Sequence, residues 1–177
     1  MIEFTIIDHL LPGVRVLQCP QYIDHRGDFT KLFHLEAFSR LDIPFNVAET
    51  FLTRSRAGVI RGMHFQEGVA AHDKLVFCPK GRVLDVIVDV RPESADFNKP
   101  VSLELSEHCQ TALLIGKGYA HGFLALEEDS WMVYSTNTIY NPDMDRGVLW
   151  SSIAFEWPLN KPVLSERDSL HPSIETR

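Results

Sequence analysis

Five segments gather side chains that can move protons or hold anions: Asp24-His25-Arg26-Gly27-Asp28-Phe29, Gly58-Val59-Ile60-Arg61-Gly62-Met63-His64-Phe65-Gln66, Lys74-Leu75-Val76, Gly118-Tyr119-Ala120-His121-Gly122-Phe123 and Leu164-Ser165-Glu166-Arg167-Asp168. Histidine titrates near about pH 6.5 and so exchanges protons at neutral pH. Lysine sets a compact cation beside an oxygen, and arginine offers a planar fork of donors to phosphate oxygens. Any one segment alone says little. A histidine on a strand is ordinarily a satisfied core residue, and a lysine at a strand end is ordinarily solvated. Together the segments concentrate polar groups where an ordinary strand protein would not need them.

The elements that must carry these groups are strands. Runs rich in Val, Ile, Phe and Thr, punctuated by Gly, Pro, Asn or Asp, predict strands over Glu3–Ile7, Val14–Cys19, Phe29–Phe33, Val47–Thr53, Lys74–Cys78, Arg82–Val90, Val101–Leu105, Ala112–Ile115, Gly122–Leu126, Trp131–Thr136 and Ile153–Trp157. Lys74–Cys78 and Arg82–Val90, joined by Pro79-Lys80-Gly81, read as a hairpin with Gly81 supplying a positive backbone angle. One short helix is expected over His34–Leu41, where Leu35, Phe38 and Leu41 recur at helical spacing. No repeat or linker divides the chain, so one domain, 1–177, is expected, all-β, a jelly roll or sandwich that hides its edges.

A formal charge of -7 opposes a protein that coats nucleic acid or an anionic membrane. The N-terminus lacks a cationic start followed by an apolar core, and no apolar run approaches a membrane span, so a cytoplasmic location is expected. Three cysteines, Cys19, Cys78 and Cys109, have no Cys-x-x-Cys spacing and suggest reduced thiols.

Taken in order, the motifs resemble those of the dTDP-4-dehydrorhamnose 3,5-epimerase family: D-x-R-G-x-F at Asp24…Phe29, G-V-x-R-G-x-H-[FY]-Q at Gly58…Gln66, K-L-V at Lys74…Val76, D-V-x-V-D-x-R at Asp85…Arg91, G-x-x-H-G-F at Gly118…Phe123, and W-P…L-S-x-x-D at Trp157-Pro158…Leu164-Ser165…Asp168. The match covers nearly the whole chain. It implies a cupin-type jelly-roll barrel with a few short helices, a homodimer, and no metal or redox cofactor. The implied substrate is a nucleoside-diphosphate 4-keto-6-deoxysugar, dTDP- or CDP-linked, epimerised beside its ketone.

By motif position the resemblance makes His64 the base, Asp168 its carboxylate partner, Lys74 the enolate-stabilising cation and Tyr134 the proton donor. The chemistry is coherent: a proton beside a ketone leaves only if charge moves to oxygen, which needs a near-neutral base and a cation at that oxygen. Inversion then needs a second acid on the opposite face, for which Tyr119 and Tyr140 compete with Tyr134. Arg26 and Arg61 are candidates for the diphosphate, Phe29 for stacking on the base, and Gln66 for a substrate contact. His121 is either a pocket donor held by Asp85 or that acid's buried partner.

Three positions depart from the pattern. Phe77 follows Val76 where many relatives carry arginine, removing a cation near the expected mouth; Lys31 replaces a base-reading glutamate; and His72-Asp73 replaces Gln-Gly. Rival readings are a 3,4-ketoisomerase of a related nucleotide sugar, a non-catalytic sugar-binding cupin, and a metal-dependent cupin. The last would ask for H-x-H, whereas Phe65-Gln66 follow His64.

Overall fold

In the computed structural model, which describes residues 3–176, the chain folds into two antiparallel sheets with their apolar faces packed together. Of the expected domain 1–177, Met1, Ile2 and Arg177 lie outside the described residues. The strands are β1 (Thr5–Leu11), β2 (Val14–Gln18), β3 (Gln21–Asp24), β4 (Gly27–Thr30), β5 (Glu49–Ser55), β6 (Ile60–Gln66), β7 (Lys74–Lys80), β8 (Arg82–Asp89), β9 (Pro100–Ser106), β10 (Thr111–Ile115), β11 (Tyr119–Ala125), β12 (Ser130–Thr136) and β13 (Asp145–Gly147). One sheet runs β1-β2-β10-β7-β12-β5, the other β13-β6-β11-β8-β9, and β3 and β4 form a separate two-stranded ribbon. This is the expected all-β jelly roll; its helices are α1 (Leu35–Arg40), α2 (Glu166–Ser169) and single 3-10 turns.

The core between the sheets takes Val76, Cys78, Met132 and Tyr134 from one side and Val83, Ile87 and Phe123 from the other. Because side chains alternate along a strand, the intervening residues of β7, Leu75 and Phe77, face outward into a second cluster under α1, with Phe4, Phe38 and Phe45. That alternation turns Lys74 inward, in phase with Val76 and Cys78. It also corrects the expectation for Phe77, which is not at a cavity mouth: it sits on the opposite face of β7 from Lys74, buried against the helix.

The expected hairpin between Lys74–Cys78 and Arg82–Val90 does not form. β7 pairs with β10 and β12, and β8 with β11 and β9, so Gly81 (φ +73°) is a corner between sheets rather than a turn within one. The expected strand Ile153–Trp157 is also absent: after a 3-10 turn at Trp150–Ser152 the chain runs without strand pairing. Its apolar-polar alternation reflects one-sided burial, as Ile153, Phe155 and Trp157 pack on the outer face of the five-stranded sheet with Met63, Val86 and Val88. The helix arrives as expected, with His34 capping it by accepting from the Ala37 N–H.

Phe38 is fully buried and contacts the rings of Phe4, Phe33 and Phe45. Replacing it with alanine empties the space that seats α1 on the outer face of β7. We expect Phe38→Ala to destabilise the fold by about 3–5 kcal/mol, read as a lowered midpoint in urea or thermal denaturation.

Candidate active site

One cavity of about 410 Å3 opens between the two sheets, and both contribute to its lining. From the five-stranded sheet, β6 presents Arg61, His64 and Gln66, and β11 presents His121 and Phe123; from the six-stranded sheet, β7 presents Lys74, β12 Tyr134 and Thr136, and β5 Phe51 and Thr53. Asp168 arrives on α2 from far along the chain.

His64 Nε2 and Asp168 Oδ1 lie 2.7 Å apart, with the carboxylate almost wholly buried and the imidazole side chain 29% exposed. The other carboxylate oxygen accepts from the Gly62 N–H at 3.1 Å, and the Asp168 N–H donates to Ser165 Oγ at 3.0 Å, capping α2. Burial pushes the Asp168 carboxyl up, but the hydrogen bond and charge of His64, with the Gly62 and Ser165 contacts, outweigh it and hold the group down at about 2. Gly62 is required here by geometry: at φ +128° a Cβ would stand 2.5 Å from Gly122 Cα and 2.8 Å from the His121 carbonyl oxygen.

On the facing wall Tyr134 stacks on Phe51 at 4.7 Å between ring centres, with its hydroxyl 3.4 Å from Thr53 Oγ1. Burial raises its pKa above the usual phenol value, so the hydroxyl stays protonated at neutral pH. Lys74 is half-buried, and desolvation lowers its ammonium pKa to about 8 against the opposing pull of Asp85 and Asp145. Beside it, burial and the Lys74 charge lower His72 to about 4, so that ring is neutral at pH 7; its Nδ1 meets Gln66 Nε2 at 3.1 Å. Gln66 in turn accepts from the Asn141 N–H at 2.7 Å.

His121 lines the cavity, and its Nε2 lies 3.0 and 2.9 Å from the two oxygens of fully buried Asp85. Arg61 donates to Ser55 Oγ and the Arg54 carbonyl, both at 3.0 Å, and has donors to spare. At the rim, Asp145 accepts from Arg167 at 2.5 Å and from the Tyr140 hydroxyl at 3.1 Å.

The structure therefore brings together His64, Asp168, Lys74, Tyr134, Arg61, Gln66 and His121 and leaves Arg26, Phe29 and Lys31 apart. Those three lie on or just after the β3–β4 ribbon. Arg26 is highly exposed and paired at 2.6 Å with Asp24, Phe29 is 56% exposed, and Lys31 is half-buried. Sequence reasoning passed over Phe51, Thr53 and Asp145, all of which line the cavity. Thr53 and Phe51 had a signal in the alternation of the edge strand β5. The role of Asp145 depends on a rim assembled from distant segments, which no local pattern encodes.

A substitution at Gly62 tests whether the close approach of β6 to β11 seats the dyad. Gly62→Ala is expected to destabilise by about 2 kcal/mol or more through backbone strain and overlap, measured by the denaturation midpoint.

The family model for dTDP-4-dehydrorhamnose 3,5-epimerase matches residues 8–176. The dTDP-4-dehydrorhamnose 3,5-epimerase of Escherichia coli K12 is 40% identical over 168 residues, covering 93% of this chain and 91% of its own. The crystal structure of the enzyme of that name from Sulfolobus tokodaii, 39% identical, superposes with a TM-score of 0.91 over 98% of this chain and 97% of that one. A dTDP-6-deoxy-D-glucose-3,5-epimerase from Legionella pneumophila, solved in complex with dTDP-4-keto-L-rhamnose, is 29% identical with a TM-score of 0.92, covering 98% and 94%. On sequence and on structure alike, the chain belongs to the dTDP-4-dehydrorhamnose 3,5-epimerase family and is an enzyme of the isomerase class.

Proposed function

We propose that this protein epimerises a dTDP-linked 4-keto-6-deoxysugar at one or both carbons flanking the ketone. The observation that carries the reading is the opposition of His64, on the five-stranded sheet, to Tyr134 and Lys74, on the six-stranded sheet, across one cavity. With Nε2 engaged by Asp168, Nδ1 is the nitrogen left to take the proton. The C–H electrons move onto the ketone oxygen as an enolate, and the Lys74 ammonium stabilises that charge. The Tyr134 hydroxyl returns a proton to the same carbon from the other face, and the stereocentre inverts. His64 then loses its proton and Tyr134 regains one, so no net redox change occurs and the chemistry asks for no redox cofactor or metal. Asp168 orients the ring and stabilises the imidazolium.

A homodimer belongs to the reading. β5 is an edge strand with Phe51 41% and Leu52 47% exposed, and the ribbon exposes Tyr22 and Ile23 as well as Phe29; such surfaces are ordinarily covered. Since Arg26, Phe29 and Lys31 lie outside their own cavity, in this reading they meet the nucleotide from a second copy. The cytoplasm is the compartment we assign, in keeping with three free cysteines.

The test follows deuterium entry from heavy water into the sugar by NMR. His64→Ala should abolish exchange beside the ketone while nucleotide binding persists; exchange near the wild-type rate would sink the mechanism. Tyr134→Phe should keep exchange and lose inverted product, and an equal fall in both would remove Tyr134 as the donor.

Lys74 makes a pH prediction. Burial holds its ammonium pKa at about 8, below the ordinary lysine value of 10.5, so the cation at the enolate is lost as pH rises through about 8, giving kcat/KM an alkaline limb there. Lys74→Met should erase that limb and cut turnover by about 100- to 1000-fold. Between about 8 and 10.5 the unfolded chain holds this proton more firmly than the folded one, so the stability contributed by this group rises with pH in that window.

Lys31 favours a second reading of the nucleotide. A lysine has three donors and no acceptor, so it cannot receive the thymine ring N–H, whereas the corresponding cytosine nitrogen accepts. Competition of dTDP against CDP decides between them. Preference for dTDP that is unmoved by Lys31→Glu supports the thymidine reading, and a CDP preference reversed by that change supports the cytidine one.

A further inference from the structure

The ring of His171 is built into the structure beside the dyad without a role in the proton transfers above. Its Nε2 is buried, has no hydrogen-bond partner among the described residues, and stands 3.6 Å from Asp168 Oδ1, the oxygen that His64 also meets. An imidazole nitrogen left unsatisfied in a polar site is costly, yet the surroundings hold it there. Leu149 N–H donates to the Pro172 carbonyl at 2.8 Å, Ile174 N–H to Ser152 Oγ at 3.0 Å, and a Cβ at Gly147 would overlap the ring. The ring also packs edge-on against His64 at 5.4 Å between centres.

One nitrogen or oxygen from each of His64, Asp168 and His171 lies within 4.8 Å of the other two. Two imidazoles and a carboxylate form a familiar donor set for a divalent transition ion, with ligand bonds of about 2.0–2.2 Å for zinc. Ligands around a tetrahedral ion at such bond lengths stand about 3.3 Å apart, between the 2.7 Å and 3.6 Å separations that Asp168 Oδ1 makes with the two rings. The His64 side chain is 29% exposed and lines the cavity, so the set is reached from the substrate side.

We propose that His64, Asp168 and His171 form an inhibitory site for a divalent transition cation of the zinc type. The ion takes the place between His64 Nε2 and Asp168, the ring proton moves from Nε2 to Nδ1 as the neutral imidazole ligates through Nε2, and His171 supplies the third ligand; with Nδ1 protonated, the imidazole cannot accept the substrate proton. The site rests on the donor set alone, while inhibition rests on His64 being the base, as read above.

The experiment measures zinc affinity of the full chain by competition with a chromophoric chelator and records the visible spectrum of the cobalt(II) form. His171→Gln, and His171→Phe, which keeps a ring against Gly147, are carried beside wild type, each checked by circular dichroism. Wild type should bind zinc and give a low-symmetry cobalt spectrum, and both variants should raise the zinc Kd by about 100-fold or more, beyond what outer-sphere changes do, while exchanging substrate deuterium as wild type does without metal. Zinc should stop exchange in wild type at concentrations that spare both variants. Absence of zinc binding by wild type, or equal affinity in the variants, overturns the site. Binding that depends on His171 but leaves exchange untouched overturns inhibition alone. Absence of exchange in metal-free wild type instead overturns the epimerase reading, with the binding data still deciding the site.

Discussion

A contact of 2.7 Å between residues 104 positions apart, His64 to Asp168, sets the terms for the rest of the molecule. A carboxylate with that little solvent around it is tolerable only where hydrogen bonds replace water, so β6 must offer a backbone N–H as well as an imidazole, and the chain around Asp168 must be tied down. The tie is visible in pieces: Val59 bridges Val163 in parallel, Val163 N–H donates to the Gly58 carbonyl at 2.9 Å, Ile60 N–H to the Val163 carbonyl at 3.1 Å, and Ile174 is buried against the outer face. The long crossing after β13 serves as a strap across β6.

The second constraint is the sandwich itself. Two sheets facing each other put side chains on both sides of anything bound between them, and the alternation of each strand decides which groups look in. Lys74 and Tyr134 look in because Val76, Cys78 and Met132 do. The apolar packing of the core and the aim of the polar groups at its open end are one property of the same strands, so slipping either strand by one residue would reverse both.

Much of this was legible in the sequence. Most of the strands, the short helix and the cavity groups His64, Lys74, His121 and Gln66 followed from residue type, period and motif order. Three strands were not expected, β3, β13 and β6, which carries His64, and the expected Phe29–Phe33 is instead β4, Gly27–Thr30; Arg61, Gly62 and His64 break the apolar run that would have marked β6. What else failed depended on pairing rather than pattern. The β7 and β8 segments carry every local mark of a hairpin, yet each finds better apolar burial in a different sheet, and local pattern cannot report a partner chosen elsewhere. Residues 153–157 alternate like a strand because one side is buried, although no strand among the described residues pairs with their backbone. The ribbon residues Arg26, Phe29 and Lys31 lie outside the cavity of their own chain; where a motif points in three dimensions is fixed by tertiary contacts that a linear string omits.

The β3–β4 ribbon pairs with neither large sheet among the described residues, and this has an evolutionary side. Changes at its exposed positions leave the interior packing and the cavity walls mechanically uncoupled from them, so their stability effects should add to, and not compound, those of core changes. A lineage can explore that surface at little risk to folding or to the proton-handling groups. In the proposed dimer, change on the ribbon then falls on how copies pair and which nucleotide is held, while the strands that face each other keep the fold and the chemistry.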